Sequence, residues 1–148
     1  MIYILTGCQQ SVTQNTDTFY TDKGGVDYMR VPLIKPYELL SIPGHDNWAA
    51  RLKENTLNVS VDSVKMANVF QNIILLYSTN TVFQSEPVRE LWVVIIPNKH
   101  VEVGFDNFKE CAAYLRKQGV KGEIRLNYIE NIRYYFADHD VINWRAIP

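Results

Sequence analysis

The densest group of chemistry-bearing side chains is Asp138-His139-Asp140. A metal ion needs nitrogen, sulfur or carboxylate donors converging at about 2.0–2.3 Å. Neighbouring residues on a helix point in different directions, so these three do not converge, and no metal site is predicted. A histidine at a helix end suits the negative pole of the helix dipole, and His139 reads that way. His45-Asp46 offers a general base with an orienting carboxylate. No nucleophile is marked beside it, so a hydrolase built on His45 and Asp46 stands only as an alternative reading. His100, next to Lys99, reads as an exposed turn residue. No P-loop, G-x-G-x-x-G, G-x-S-x-G or H-E-x-x-H occurs. Gly24-Gly25 is followed by neither Lys-Ser nor a helix start, so it reads as a turn. The leading reading is a non-enzymatic chain with no catalytic residues and no cofactor.

A second class of chemistry is recognition. Tyr128, Tyr134, Tyr135, Phe136 and Trp144 crowd the C-terminal part, with Arg125, Arg133 and Arg145 among them. Tyr, Trp and Arg carry most of the energy at protein interfaces. Tyr128, Arg133, Tyr134, Tyr135 and Trp144 are therefore the candidate partner-binding residues, and the expected partner is another protein. The same aromatics also serve as core residues in small sheet-and-helix domains. The formal net charge is -1, which does not supply the wide basic field that nucleic acid needs.

The elements that would position these residues come from one chain of 148 residues with 47% hydrophobic content. A chain of this size buries about 70% of its unfolded surface without staples. A single α+β domain is expected over residues 18–148. Strand and turn signals dominate from Thr18 to Ile96. Thr18–Thr21 reads as a short strand, Asp27–Ile34 as a strand broken by Pro32, and Pro36 and Pro43 bracket Tyr37–Ile42; the prolines lack the ladder donor, so these segments read as edge strands or strand ends. Trp48–Leu52 reads equally as a strand or one helical turn. Leu57–Val61 alternates, as a strand with one wet face does. Val64–Phe70 and Ile73–Ser78 read as a hairpin turning at Gln71-Asn72. Thr79–Pro87 reads as a polar loop. Leu91–Ile96 is continuously apolar, as a central strand is.

After Pro97 the period changes. Phe108, Cys111, Ala112 and Leu115 fall on one face of a helix. Asn107-x-x-Glu110 forms a capping box at its start, and Gly119 stops it. Glu123–Leu126 reads as a short strand. Asn127-x-x-Glu130 repeats the box ahead of Ile129, Ile132 and Phe136. Ile142, Trp144 and Ile147 are expected to fold back on the body. Runs of strands followed by helices give an antiparallel β-meander with two C-terminal helices packed on the sheet, covering one face or end of it.

Cys8 and Cys111 are the only cysteines. Two thiols build neither a disulfide framework nor a four-thiolate zinc site. Cys111 reads as a small core residue on its helix. Cys8 closes Leu5-Thr6-Gly7-Cys8 and is followed by a run rich in Gln, Ser, Thr and Asn. This resembles the lipobox of bacterial lipoproteins. In that family a signal peptide is cut before the cysteine, and a lipid on its sulfur holds the protein to a membrane. The resemblance implies lipidation at Cys8 and a place in the bacterial cell envelope. Residues 1–17 would then be a signal remnant and a polar, solvated tether. The sequence departs from the pattern: no Lys or Arg precedes Cys8, and the apolar stretch Met1–Leu5 falls short of the usual 7 to 15 residues, roughly. The alternative is an N-terminal strand with Ile2 and Ile4 on one face, in a soluble cytoplasmic interaction module.

The outline of the second half adds to this. A hairpin, a polar loop, the Trp-led strand Leu91-Trp92-Val93-Val94-Ile95-Ile96, a turn, and Gly104-Phe105 opening a helix resemble small uncharacterised bacterial lipoproteins. Some of these are immunity proteins of toxin systems. The resemblance implies an envelope lipoprotein that binds another protein, as an immunity protein or an accessory subunit of an envelope complex.

Overall fold

The computed structural model describes residues 17–42, 44, 46–54 and 60–148. Met1–Leu5, Cys8, His45 and Leu57–Val59 lie outside the described residues. The chain is α+β, as the pattern of the sequence predicts. Strands β1 (Met29–Pro32), β2 (Glu38–Ser41), β3 (Trp48–Arg51), β4 (Ser60–Phe70), β5 (Ile73–Phe83), β6 (Glu86–Ile96) and β7 (Val101–Phe105) form an antiparallel meander in chain order. Helix α2 (Phe108–Lys117), the two-residue strand β8 (Asn127–Tyr128) and helix α3 (Ile129–Asp138) follow.

The sheet curls on itself. β1 and β7 stand at opposite ends of the strand order. Yet Tyr37, between β1 and β2, donates its hydroxyl to Glu102 Oε1 on β7 at 2.7 Å. The backbone N–H of Lys53, just past β3, reaches the same oxygen at 2.6 Å. The concave side holds the larger core: Val31, Leu39, Trp48, Val64, Ile74, Val93 and, from α3, Ile129 and Ile132. Ile147 is buried there, and Ile142 and Trp144 pack on it, so the tail folds back as expected. The opposite face holds a second core of Ile73, Leu75, Val94 and Ile96 under Cys111 and Leu115 of α2. Strand alternation makes this possible, because β5 and β6 are apolar on both faces and need a helix on each. The two helices therefore cover opposite faces, not a single one.

Other departures have local causes. Thr18–Thr21 is a helical turn, α1, because Asp17 accepts from the Phe19 N–H at 2.9 Å and caps it. Trp48–Arg51 is a strand. Thr79–Phe83 continues β5 rather than forming a loop, and β6 starts at Glu86. Gln84 and Ser85, at φ 50° and 68°, make the tight turn between them. Two positive φ values match the right-handed twist of a hairpin. Pro87 is accommodated because β7 pairs only with Trp92–Ile96, leaving β6 without a second neighbour there. Gly104-Phe105 ends β7 instead of opening a helix.

β4 is the hinge of the topology. β5 occupies one of its edges, so β3 and β8 share the other: β3 opposite Ser60–Val64, β8 opposite Met66 and Ala67. The strand in this stretch is thus Asn127–Tyr128, not Glu123–Leu126. Asn107 caps α2 as predicted, accepting from the N–H groups of Lys109 and Glu110. Asn127 does not cap α3; Tyr128 is the N-cap and makes no side-chain cap bond.

Candidate functional site

The strand registers set one row of large side chains across the α2 face. Tyr128 stands opposite Met66, Met66 opposite Tyr77, Tyr77 opposite Trp92, and Trp92 opposite Phe105. Directly opposed residues share a face, so the row crosses five strands. Tyr77 and Trp92 ring centroids lie 5.1 Å apart. The Asn107 cap fixes the start of α2 and brings the Phe108 ring within 5.7 Å of Trp92. α2 starts at this row and covers the sheet on one side of it, over Leu75 and Val94.

The row is graded from wet to dry. Tyr128 is 62% exposed and Phe108 42%, whereas Trp92 between them is 9% exposed. Tyr77 is half-buried, and its hydroxyl donates to Glu90 Oε1 at 2.7 Å. That bond, with burial and the Glu90 charge, raises the Tyr77 pKa above the ordinary phenol value. The bond to Glu90 fixes the direction of the Tyr77 hydroxyl. Aromatic and Met surface of this kind, with one oriented polar group, is what interface cores are made of.

The candidate recognition residues do not assemble into one surface. Tyr128 joins the row on the α2 face. Arg133, Tyr134 and Tyr135 lie on α3, which packs on the concave face. Tyr134 is 72% exposed. Tyr135 is half-buried against the core and stacks on His139 at 3.9 Å. Arg133 pairs with Glu130 at 2.8 Å and lies over the Trp48 ring. Trp144 packs on the same core and, with Arg125 and Arg145, lines a cleft beside the β4–β5 turn. Met66, Tyr77, Trp92 and Phe108 are absent from the sequence-based set. The strand register brings Met66, Tyr77 and Trp92 together and the start of α2 adds Phe108; reading Thr79–Pro87 as a loop hides that register.

The titratable groups are dispersed. His139 Nδ1 lies 2.7 Å from the Tyr135 carbonyl, and Asp138 and Asp140 are exposed. Among the described residues, no group of three His, Cys, Asp or Glu side chains could hold a metal ion. His100 is exposed and lies 3.0 Å from Glu54 Oε1. Asp46 is exposed, and its neighbour His45 lies outside the described residues. Cys111 is fully buried, and burial pushes its thiol up to about 12, so it is no thiolate at neutral pH. Among the described residues, no helix is long and apolar enough to cross a membrane. No protein-family model, no curated protein and no solved structure matches the chain.

Proposed function

We propose that the chain is a non-enzymatic protein-binding domain, tethered to a bacterial envelope through a lipid on Cys8, whose partner docks on the Tyr128–Trp92 row. One observation carries the docking surface: a row of opposed Tyr, Met and Trp side chains that runs from the exposed Tyr128 through the half-buried Met66 and Tyr77 to the buried Trp92, which the exposed Phe108 flanks. Large apolar side chains left on a sheet face beside a helix favour a partner that removes them from water. Tyr and Trp lose few rotamers on binding, which suits them to that role. The tether rests on Leu5-Thr6-Gly7-Cys8 and the polar run after it. The resemblance to lipoproteins and immunity proteins points to a toxin as the partner class.

A photo-crosslinking amino acid at Tyr128 or Phe108, in the native cells, tests the surface. Adducts to one partner are expected at both positions and not at Asp140 or Asp27. Tyr128→Glu combined with Phe108→Glu should abolish partner binding while the melting temperature holds. Equal labelling at all positions, or none at the row, sinks this reading. Intact mass from membrane and soluble fractions tests the tether separately. A chain beginning at acylated Cys8 supports it; a soluble chain beginning at Met1 overturns it.

A further inference from the structure

The cleft beside the β4–β5 turn shares no residue with the aromatic row. It measures about 640 Å³, within the range of ligand sites, and is bounded by that turn, the loop after α2 and the C-terminal turn. Three cations line it, Lys121, Arg125 and Arg145, against a single acid, Glu123. Among the described residues none of these four forms an ion pair. Arg125 is aimed by the Ile147 carbonyl, which accepts from its Nη2 at 2.7 Å. Phe70 and the half-buried Trp144 give the cleft apolar walls.

We propose that this cleft binds an acidic peptide segment, with carboxylates on Lys121, Arg125 and Arg145 and an apolar side chain against Trp144. A molecule of net charge -1 does not attract anions as a whole, so the attraction is local. Guanidinium groups favour planar carboxylates through paired hydrogen bonds. A lone phosphate calls for donors converging on one point; this lining mixes cations, side-chain amides and aromatic walls, which suits a chain with a backbone. The assignment goes beyond docking on the aromatic row and stands or falls independently of it.

The test is fluorescence anisotropy of a short fluorescein-labelled poly-glutamate peptide with the full chain, and a poly-glutamine peptide as neutral control. Saturable binding is expected for poly-glutamate alone, weakening as salt rises. Lys121→Glu with Arg145→Glu should weaken it by about tenfold or more. Both side chains are exposed, so the melting temperature should hold. Arg89→Glu with Lys109→Glu makes the same change in net charge elsewhere and should leave affinity within about twofold. Absence of saturable binding overturns the proposal. So do equal losses in the two double variants, which would make the attraction non-local. Displacement of the peptide by inorganic phosphate at matched ionic strength overturns it too, reassigning the cleft to small anions.

Discussion

Tyr37 and Glu102, 65 residues apart in the chain, share a buried hydrogen bond of 2.7 Å that joins the first hairpin of the meander to β7 at its other end. Glu102 is 6% exposed, and its Oε1 also accepts from the N–H groups of Lys53 and Glu54. Three donors from two distant segments thus meet on one oxygen. This closes the curled sheet around α3. Tyr37→Phe removes one donor and keeps the ring. A hydrogen bond to a charged group contributes about 1.5–3 kcal/mol, so a loss of that size is expected in urea unfolding, with an unchanged m-value. A neutral result would mean that apolar packing alone holds the sheet closed.

The same hydroxyl sets a pH dependence. Burial first, and then the bond to Glu102, raises the Tyr37 pKa above its ordinary value. Burial alone raises the Cys111 thiol from 9.0 to about 12. Both groups are neutral in the folded chain where the unfolded chain has already lost the proton. The unfolded state then binds fewer protons, so stability falls as pH rises. The fall begins near pH 9 with Cys111 and steepens near pH 10 when Tyr37 joins. Each group contributes a slope of about 1.4 kcal/mol per pH unit. Cys111→Ala should flatten the first part of the curve, and Tyr37→Phe should make the second part shallower, with Tyr77, whose pKa is also raised, contributing what slope remains. A wild-type curve that stays level above pH 9 would contradict both assignments.

Gly104 and Phe83 give a steric prediction. A Cβ on Gly104 would lie 2.5 Å from Phe83 Cε2. Phe83 sits at the tip of the β5–β6 hairpin and packs on the concave core, so its ring lies across the β7 backbone. Gly104→Ala must displace the ring and should cost about 1–3 kcal/mol. In a Phe83→Leu background most of that cost should vanish, leaving a coupling of about 0.5–3 kcal/mol in the double-mutant cycle. Additive effects would show that the clash is not the cause.

What the sequence shows and what it hides follows from the range of the interactions. β5, β6 and α2 are legible because their patterns are local: continuous apolar runs, a 3.6 period and the Asn107 cap. The Gln84-Ser85 turn is not legible, because it adopts positive φ without Gly or Asn. With that turn unread, Tyr77 and Trp92 have no known register, and the aromatic row does not appear. Tyr128, Tyr134 and Trp144 look like one patch because they are close in sequence. β8 and α3 separate them onto different faces, and that separation depends on pairing with β4, which lies about 60 residues upstream.

Asn107 and Asn127 carry the same motif and should respond in opposite ways. Asn107 Oδ1 accepts from the Lys109 N–H at 2.8 Å and the Glu110 N–H at 3.3 Å. Asn107→Ala orphans these donors and should cost about 0.5–2 kcal/mol, with Asn107→Asp recovering most of it. Asn127 is buried in β8, and its side chain faces Asn68 instead of the first turn of α3. Its Nδ2 makes one long bond of 3.4 Å to Asn68 Oδ1, and its own Oδ1 finds no partner among the described residues. Asn68 does not depend on it, since Asn68 Oδ1 also accepts from the Val69 N–H and Asn68 Nδ2 donates to the Arg125 carbonyl. Asn127→Leu therefore removes a buried polar group and leaves no orphan behind. Stability should stay within about 1 kcal/mol of wild type or rise. If Asn127→Leu costs as much as Asn107→Ala, Asn127 acts as a cap after all, and the start of α3 is set by its own sequence and not by the pairing of β8 with β4.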